Sequence, residues 1–258
     1  MDLHIKNQFF IVGGATSGFG LAIAKALLAE GATILAIARD EIKLMALQSD
    51  YPGQVEIFGS DITASGQVKL LEEKTGQRAI HGLLINAGGP PAKTVNETTL
   101  EDWDTAYKTL LRWKVDIAKT FAPGMAAVGY GRILLIESSS VKQPLENLVL
   151  SNSLRLASVG FAKTYANEIA ANGVTINIMA PSSHNTPAID RIYKKKSEQT
   201  GQAPDTIRQQ AAKQIPVGAL GDAGDFASLA AWLLSPHSKY ITGQTISVDG
   251  GMVKSTFG

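Results

Sequence analysis

Short aliphatic runs alternate along this chain with longer stretches of helical periodicity, and that alternation restricts the fold more than any other feature. The runs fall at 9–12, 33–38, 55–58, 82–86, 132–136, 174–179 and 244–248. Each is brief and nearly continuous in apolar residues, as a parallel strand must be when helices cover both of its faces. Between them, helical patterns are predicted over 18–30, 42–47, 65–76, 100–128, 152–172 and 222–234. Gly31 and Gly173 follow two of these and read as C-terminal stops. The order predicts a doubly wound parallel sheet of seven strands with right-handed crossovers. With 258 residues, one α/β domain accounts for the whole chain.

One segment departs from the rhythm. Residues 182–217 separate the sixth and seventh runs, carry YKKKSEQ, and hold a weaker helical pattern near 204–214. Its central part, 183–215, reads as a substrate lid rather than a second domain. The lysines at 194–196 read as a solvated helix face. Composition excludes several functions. Lysine and arginine total 24 against 23 acidic residues, which is no footprint for nucleic acid. The absence of cysteine excludes thiolate metal sites and thiol nucleophiles and fits a reducing, cytoplasmic setting. The four histidines lie far apart, without metal-ligand spacing. No apolar run reaches the ~18 residues of a membrane span, and the opening MDLHIKNQFFIVGG reads as a first strand rather than a signal peptide.

The first run enters GGATSGFG at 13–20, followed by an apolar helical pattern. Glycines at 14, 18 and 20 permit a tight turn, a close approach by pyrophosphate, and close helix–strand packing. The helix N-terminus then offers free N–H groups to phosphate. Strand, glycine loop and helix in this order predict a single-domain Rossmann fold with a dinucleotide site. Thr16, Ser17 and Phe19 share the loop. After the second run stands Arg39, suited to the 2′-phosphate of NADP(H), with Ala38 where an acid for NAD(H) is expected. Asp40 keeps NAD(H) as the weaker option and also suits a cap for the next helix.

At this point the chain resembles the short-chain dehydrogenase/reductase family, nearly end to end. Residues 13–20 are similar to its TGxxxGxG loop, with Gly13 in the Thr position. Asp61, followed by Ile62, resembles the Asp that contacts adenine, and Asn86-Ala87-Gly88 resembles the NNAG motif. Pro181, Ser182 and Thr186 resemble the PGxxxT loop at the nicotinamide carboxamide, with Ser182 replacing Gly. Residues 241–251 resemble the C-terminal strand. The resemblance implies a nicotinamide cofactor, a small-molecule substrate, and a homo-tetramer or homo-dimer built on the long helices.

The family's catalytic Asn, Ser, Tyr and Lys carry over less completely. Alignment through residues 156–161 places Ser151 in the Tyr position and Arg155 in the Lys position, and counting from Trp103 places Leu110 in the Asn position. Ser138, or Ser139, keeps the Ser position. The pattern resembles divergent 3-oxoacyl carrier-protein reductase-like members without the YxxxK pair. A serine hydroxyl is too weak an acid to replace the phenol, and loss of a positioned proton donor forfeits about 10²–10⁴-fold in rate. Arg155 can hold ribose hydroxyls and lend charge but cannot shuttle protons.

Three readings stay open. In the first, NADP(H) delivers hydride to an enone-type carbon while Ser138, Ser139, Ser151 and Asn152 supply hydrogen bonds and Arg155 supplies charge. In the second, a carbonyl is reduced with a displaced acid: His184, Tyr193 or Lys142. In the third, the chain is a nucleotide-binding scaffold without catalysis. Plainer roles stand beside these. A lone loop histidine is ordinarily solvated, serines at a strand end commonly satisfy loop backbone, and Trp103, Tyr107, Trp113 and Phe121 have the spacing of a core or subunit contact.

Overall fold

The computed structural model describes residues 1–256, with Lys195 described by its backbone alone. Seven strands form one parallel sheet in the order β3-β2-β1-β4-β5-β6-β7. These are β1 (Phe9–Gly13), β2 (Thr33–Ala38), β3 (Val55–Gly59), β4 (Gly82–Ile85), β5 (Gly131–Ile136), β6 (Val174–Pro181) and β7 (Thr245–Val248). Each predicted strand is present, with ends shifted by at most two residues. The central strands are buried along their whole length, which is why their sequences alternate so little.

Helices cover both faces: α1 (Gly18–Ala29), α2 (Glu41–Asp50), α3 (Gln67–Thr75), α4 (Leu100–Tyr107), α5 (Trp113–Val128), α6 (Val149–Ile169), α7 (Pro187–Thr200), α8 (Pro204–Gln214) and α9 (Ala223–Leu233). One core layer joins α1 and α9 to the sheet through residues such as Ile23, Leu27 and Phe226. The other joins α3, α5 and α6 through Leu71, Ile117, Phe121 and Ala162. Local chemistry sets the helix ends. Asp40 caps α2 by accepting from the Lys43 N–H at 3.1 Å. Thr99 and Asp102 form a reciprocal capping box at the start of α4. Gly173 turns the chain out of the helical segment after α6 with φ +77.

Two expectations need correction. The helix predicted over 100–128 is interrupted by a π-helical turn at Lys108–Arg112, which separates α4 from α5. The helix predicted from 152 begins at Val149, so Ser151 lies in the first turn of α6. The 182–217 segment holds two helices, α7 and α8, and Lys194 and Lys196 on α7 are exposed. Among the described residues no helix is long and apolar enough to cross a membrane, and no cluster of metal-ligating side chains occurs.

Candidate active site

Strand order reverses between β1 and β4, the place where doubly wound sheets open a crevice beyond their carboxyl ends. A cleft of about 1030 Å³ lies there. The glycine loop contributes Gly14, Thr16, Ser17, Gly18 and Phe19 to it. Arg39 follows β2, Asp61 and Ile62 follow β3, and Asn86, Ala87 and Gly88 follow β4. Arg155 and Thr186 complete the set of predicted residues that line it. Gly20, Pro181, Ser138, Ser151 and Ser182 do not.

The cradle suits a dinucleotide. Gly14 and Gly18 have φ +67 and +52, and a Cβ on Gly14 would lie 2.6 Å from the Asn86 amide nitrogen. That amide donates to the Gly13 carbonyl at 3.3 Å and ties the two loops together. A Cβ on Gly20 would strike the Gly14 carbonyl oxygen at 2.2 Å, so Gly20 serves helix–strand packing. Ser17 precedes α1 without a side-chain cap, leaving the helix N-terminus to the cleft. Arg39 is exposed, with no hydrogen bond or ion pair to a described residue. Asp40, in contrast, caps α2 and pairs with Lys43 at 2.9 Å. Ser182 donates its hydroxyl to the Asp249 carbonyl at 3.0 Å and so fastens the end of β6 beside β7. Asp61 accepts from the Thr63 hydroxyl at 2.8 Å.

The inner end of the cleft holds a buried chain of charges. Arg155 Nε donates to Ser151 Oγ at 3.1 Å, and its Nη1 donates to Glu137 Oε2 at 2.9 Å. The other carboxylate oxygen, Oε1, receives Lys114 Nζ at 2.5 Å. Side-chain exposure is 3% for Lys114, 0% for Glu137 and 10% for Arg155. Burial pushes the Lys114 ammonium down to about 8, with Glu137 opposing the shift and Arg155 adding to it. A site Cβ built on Gly89 would lie 3.3 Å from Arg155 Nη2, which places this nitrogen beside the loop after β4. Nη2 makes no hydrogen bond to a described residue.

Glu137 and Lys114 were not marked by sequence. The available signal was a lone carboxylate directly after the aliphatic run of β5, a position where burial demands a cation. The π-turn precedes Lys114 closely. Its Leu110 packs with Ala106 and Leu150, and the Leu110 carbonyl accepts from Ser158 Oγ at 3.2 Å. An apolar wall thus occupies the place expected for an asparagine.

The other proposed donors lie elsewhere. Ser138 Oγ accepts from the Ser140 N–H at 3.1 Å, and Ser139 is buried. Asn152 Nδ2 donates to the Leu145 carbonyl at 2.8 Å. His184 is buried, its ring edge-on to Phe19 at 5.0 Å and to Phe226 at 5.5 Å. Burial lowers its pKa and so favours the neutral ring. Tyr193 is buried, its hydroxyl without a partner among the described residues. Lys142 lies at the end of the short turn after β5. Neither these three side chains nor any other described tyrosine or histidine lines the cleft.

A seven-stranded doubly wound sheet with this cradle defines a dinucleotide-binding Rossmann scaffold. The chain belongs to the short-chain dehydrogenase/reductase family: the family model described as enoyl-(acyl carrier protein) reductase matches residues 14–253. It is similar to the 3-oxoacyl-[acyl-carrier-protein] reductase FabG of Thermotoga maritima, 28% identical over 97% of this chain and 100% of the relative. It is 30% identical to the 2,3-dihydroxy-2,3-dihydro-p-cumate dehydrogenase of Pseudomonas putida, over 96% of this chain and 95% of that one. Among solved structures, L-sorbose reductase from Gluconobacter frateurii, complexed with NADPH and L-sorbose, superposes with a TM-score of 0.93 at 27% identity. That match covers 99% of this chain and all of the other.

Proposed function

We propose that this protein is an NADP(H)-dependent reductase whose inner cleft activates an enone-type acceptor through Arg155, held at its Nε by Ser151, in place of a tyrosine–lysine pair. The observation that carries this reading is the cleft lining: a fixed guanidinium with an open nitrogen and, among the described residues, no phenol or imidazole. Bound NADPH supplies the hydride. The glycine loop and the turn Asn86-Ala87-Gly88 hold the dinucleotide, and Arg39 takes the 2′-phosphate while Asp40 is committed to its helix cap. Arg155 Nη2 donates to the acceptor oxygen, where negative charge accumulates when hydride adds to the conjugated carbon. An enolate formed in this way needs hydrogen-bond donors at once and can take its proton from water afterwards. A simple ketone needs a proton at its oxygen in the same step. The helices α7 and α8 act as the lid, with Pro187, Ala188 and Arg191 reaching the cleft.

A paired thermal-shift titration with NADPH and NADH tests the cofactor assignment. At ~100 times Kd a ligand adds ~2.7 kcal/mol, or roughly 5–10 °C for a chain of this size. The expected result is a large shift with NADPH and a small one with NADH. Oxidation of NADPH is then followed with cyclohexenone and with cyclohexanone. Turnover of the enone alone supports the reading. Turnover of the ketone alone replaces it with carbonyl reduction, the activity named for the FabG relative. No shift with either nucleotide favours a scaffold without catalysis.

A further inference from the structure

We propose that Lys114 is a positioning residue which, by occupying one oxygen of Glu137, leaves the inner cleft with an excess positive charge that takes an anionic oxygen at Arg155 Nη2. This rests on the site reading above and adds what keeps Arg155 electrophilic. A buried carboxylate bonded to one guanidinium forms a neutral pair, and such a pair attracts an anion weakly. Here the carboxylate is shared. Lys114 Nζ holds Oε1 at 2.5 Å while Arg155 Nη1 holds Oε2 at 2.9 Å, so two cations meet one carboxylate. The whole group is at least nine-tenths buried, where charge is poorly screened. Glu137 and Arg155 both line the cleft and Lys114 does not, but Glu137 has no side-chain exposure, so the unpartnered polar atom that the three present there is Arg155 Nη2.

The ligand class follows from the charge. The cofactor ribose presents neutral hydroxyls and would use the guanidinium only as a donor. An excess cation is matched instead by an enolate, a phenolate or another single oxyanion. The charge is also titratable. The charged groups acting on Lys114 are Glu137, after β5, and Arg155, on α6. With its ammonium held down to about 8, Lys114 loses its proton above that pH, the cluster becomes neutral, and anion affinity falls.

Para-nitrophenol is the probe, since its visible band reports both binding and ionisation. It is titrated into the full chain with and without saturating NADPH. Wild type is expected to bind the phenolate form and to lose affinity as pH rises through about 8. Lys114→Met removes the excess charge and is expected to weaken phenolate binding by about tenfold or more. The double variant Lys114→Met with Glu137→Gln removes one charge of each sign. It restores the excess cation on Arg155 and is expected to recover the affinity, now without the alkaline loss. A purely structural role for Lys114 predicts no such rescue. Phenolate binding by Lys114→Met equal to wild type overturns the proposal, and so does a double variant as weak as the single one. If Lys114→Met does not fold, the double variant decides against wild type: comparable affinity supports the proposal and its loss overturns it. Stabilisation of wild type by NADPH is read separately, so its absence counts against the cofactor assignment alone.

Discussion

Arg39 and Asp40 are neighbours with opposite bearings on the cofactor, and the side-chain hydrogen bonds separate them. Asp40 accepts from the Lys43 N–H and pairs with the Lys43 ammonium, whereas the Arg39 guanidinium faces the cleft without a partner among the described residues. Arg39→Ala is therefore expected to weaken NADPH by about 1.5–3 kcal/mol, the scale of a charge-assisted bond, and NADH far less. Calorimetric titration of both nucleotides measures the difference, and equal losses would remove Arg39 from the 2′-phosphate. Such a residue was legible in sequence because its place after a strand follows from counting. Glu137 was not. Its importance depends on three side chains, at 114, 137 and 155, converging from a helix, a strand end and a second helix. No spacing along the chain encodes that meeting. Ser151 lies between these cases: the sequence gives its place in a motif, and the structure shows it as the acceptor for Arg155 Nε.

At the scale of elements, the central strands were readable to within two residues because burial on both faces leaves only an aliphatic run. The long helix was harder. A π-turn adds one residue to one turn and leaves the apolar pattern on each side intact, so the sequence of 100–128 reads as continuous. That extra residue re-phases α5 with respect to α4. Within the turn the Leu110 carbonyl accepts from Ser158 Oγ, a fully buried side chain of α6. Ser158→Ala leaves the Leu110 carbonyl without that donor and is expected to cost about 1–3 kcal/mol. Urea unfolding reads the loss. Nucleotide-induced stabilisation should remain, because Ser158 does not line the cleft. A variant as stable as wild type would show that the turn holds its shape without this bond. At the start of the 182–217 segment, His184 packs edge-on against both Phe19 and Phe226, whose rings meet each other at 4.1 Å, and it serves as a packed ring.

For the molecule as a whole, the buried charge chain links stability and site chemistry with opposite signs. Lys114 titrates at about 8 in the folded protein, against an ordinary value of 10.5. Between these values the unfolded chain binds more protons than the native one, so stability rises with pH across that window. Below about 8 the native state bears the full cost of a buried ammonium, and deprotonation relieves it as pH climbs. The gain is on the order of a few kcal/mol. Half-buried tyrosines act in the other direction only at higher pH, since desolvation raises the phenols of Tyr130 and Tyr165 above their ordinary value. The comparison that isolates Lys114 is the difference in unfolding free energy between wild type and Lys114→Met from pH 7 to 9.5. Wild type should gain on the variant as pH rises through about 8, while its affinity for an oxyanion declines over the same interval. A difference that stays flat with pH would mean that Lys114 keeps its proton throughout, and the cleft would then hold its charge into the alkaline range. The two curves crossing in opposite directions is the behaviour of a fold that spends stability to keep one cation more than it can neutralise beside its reaction site.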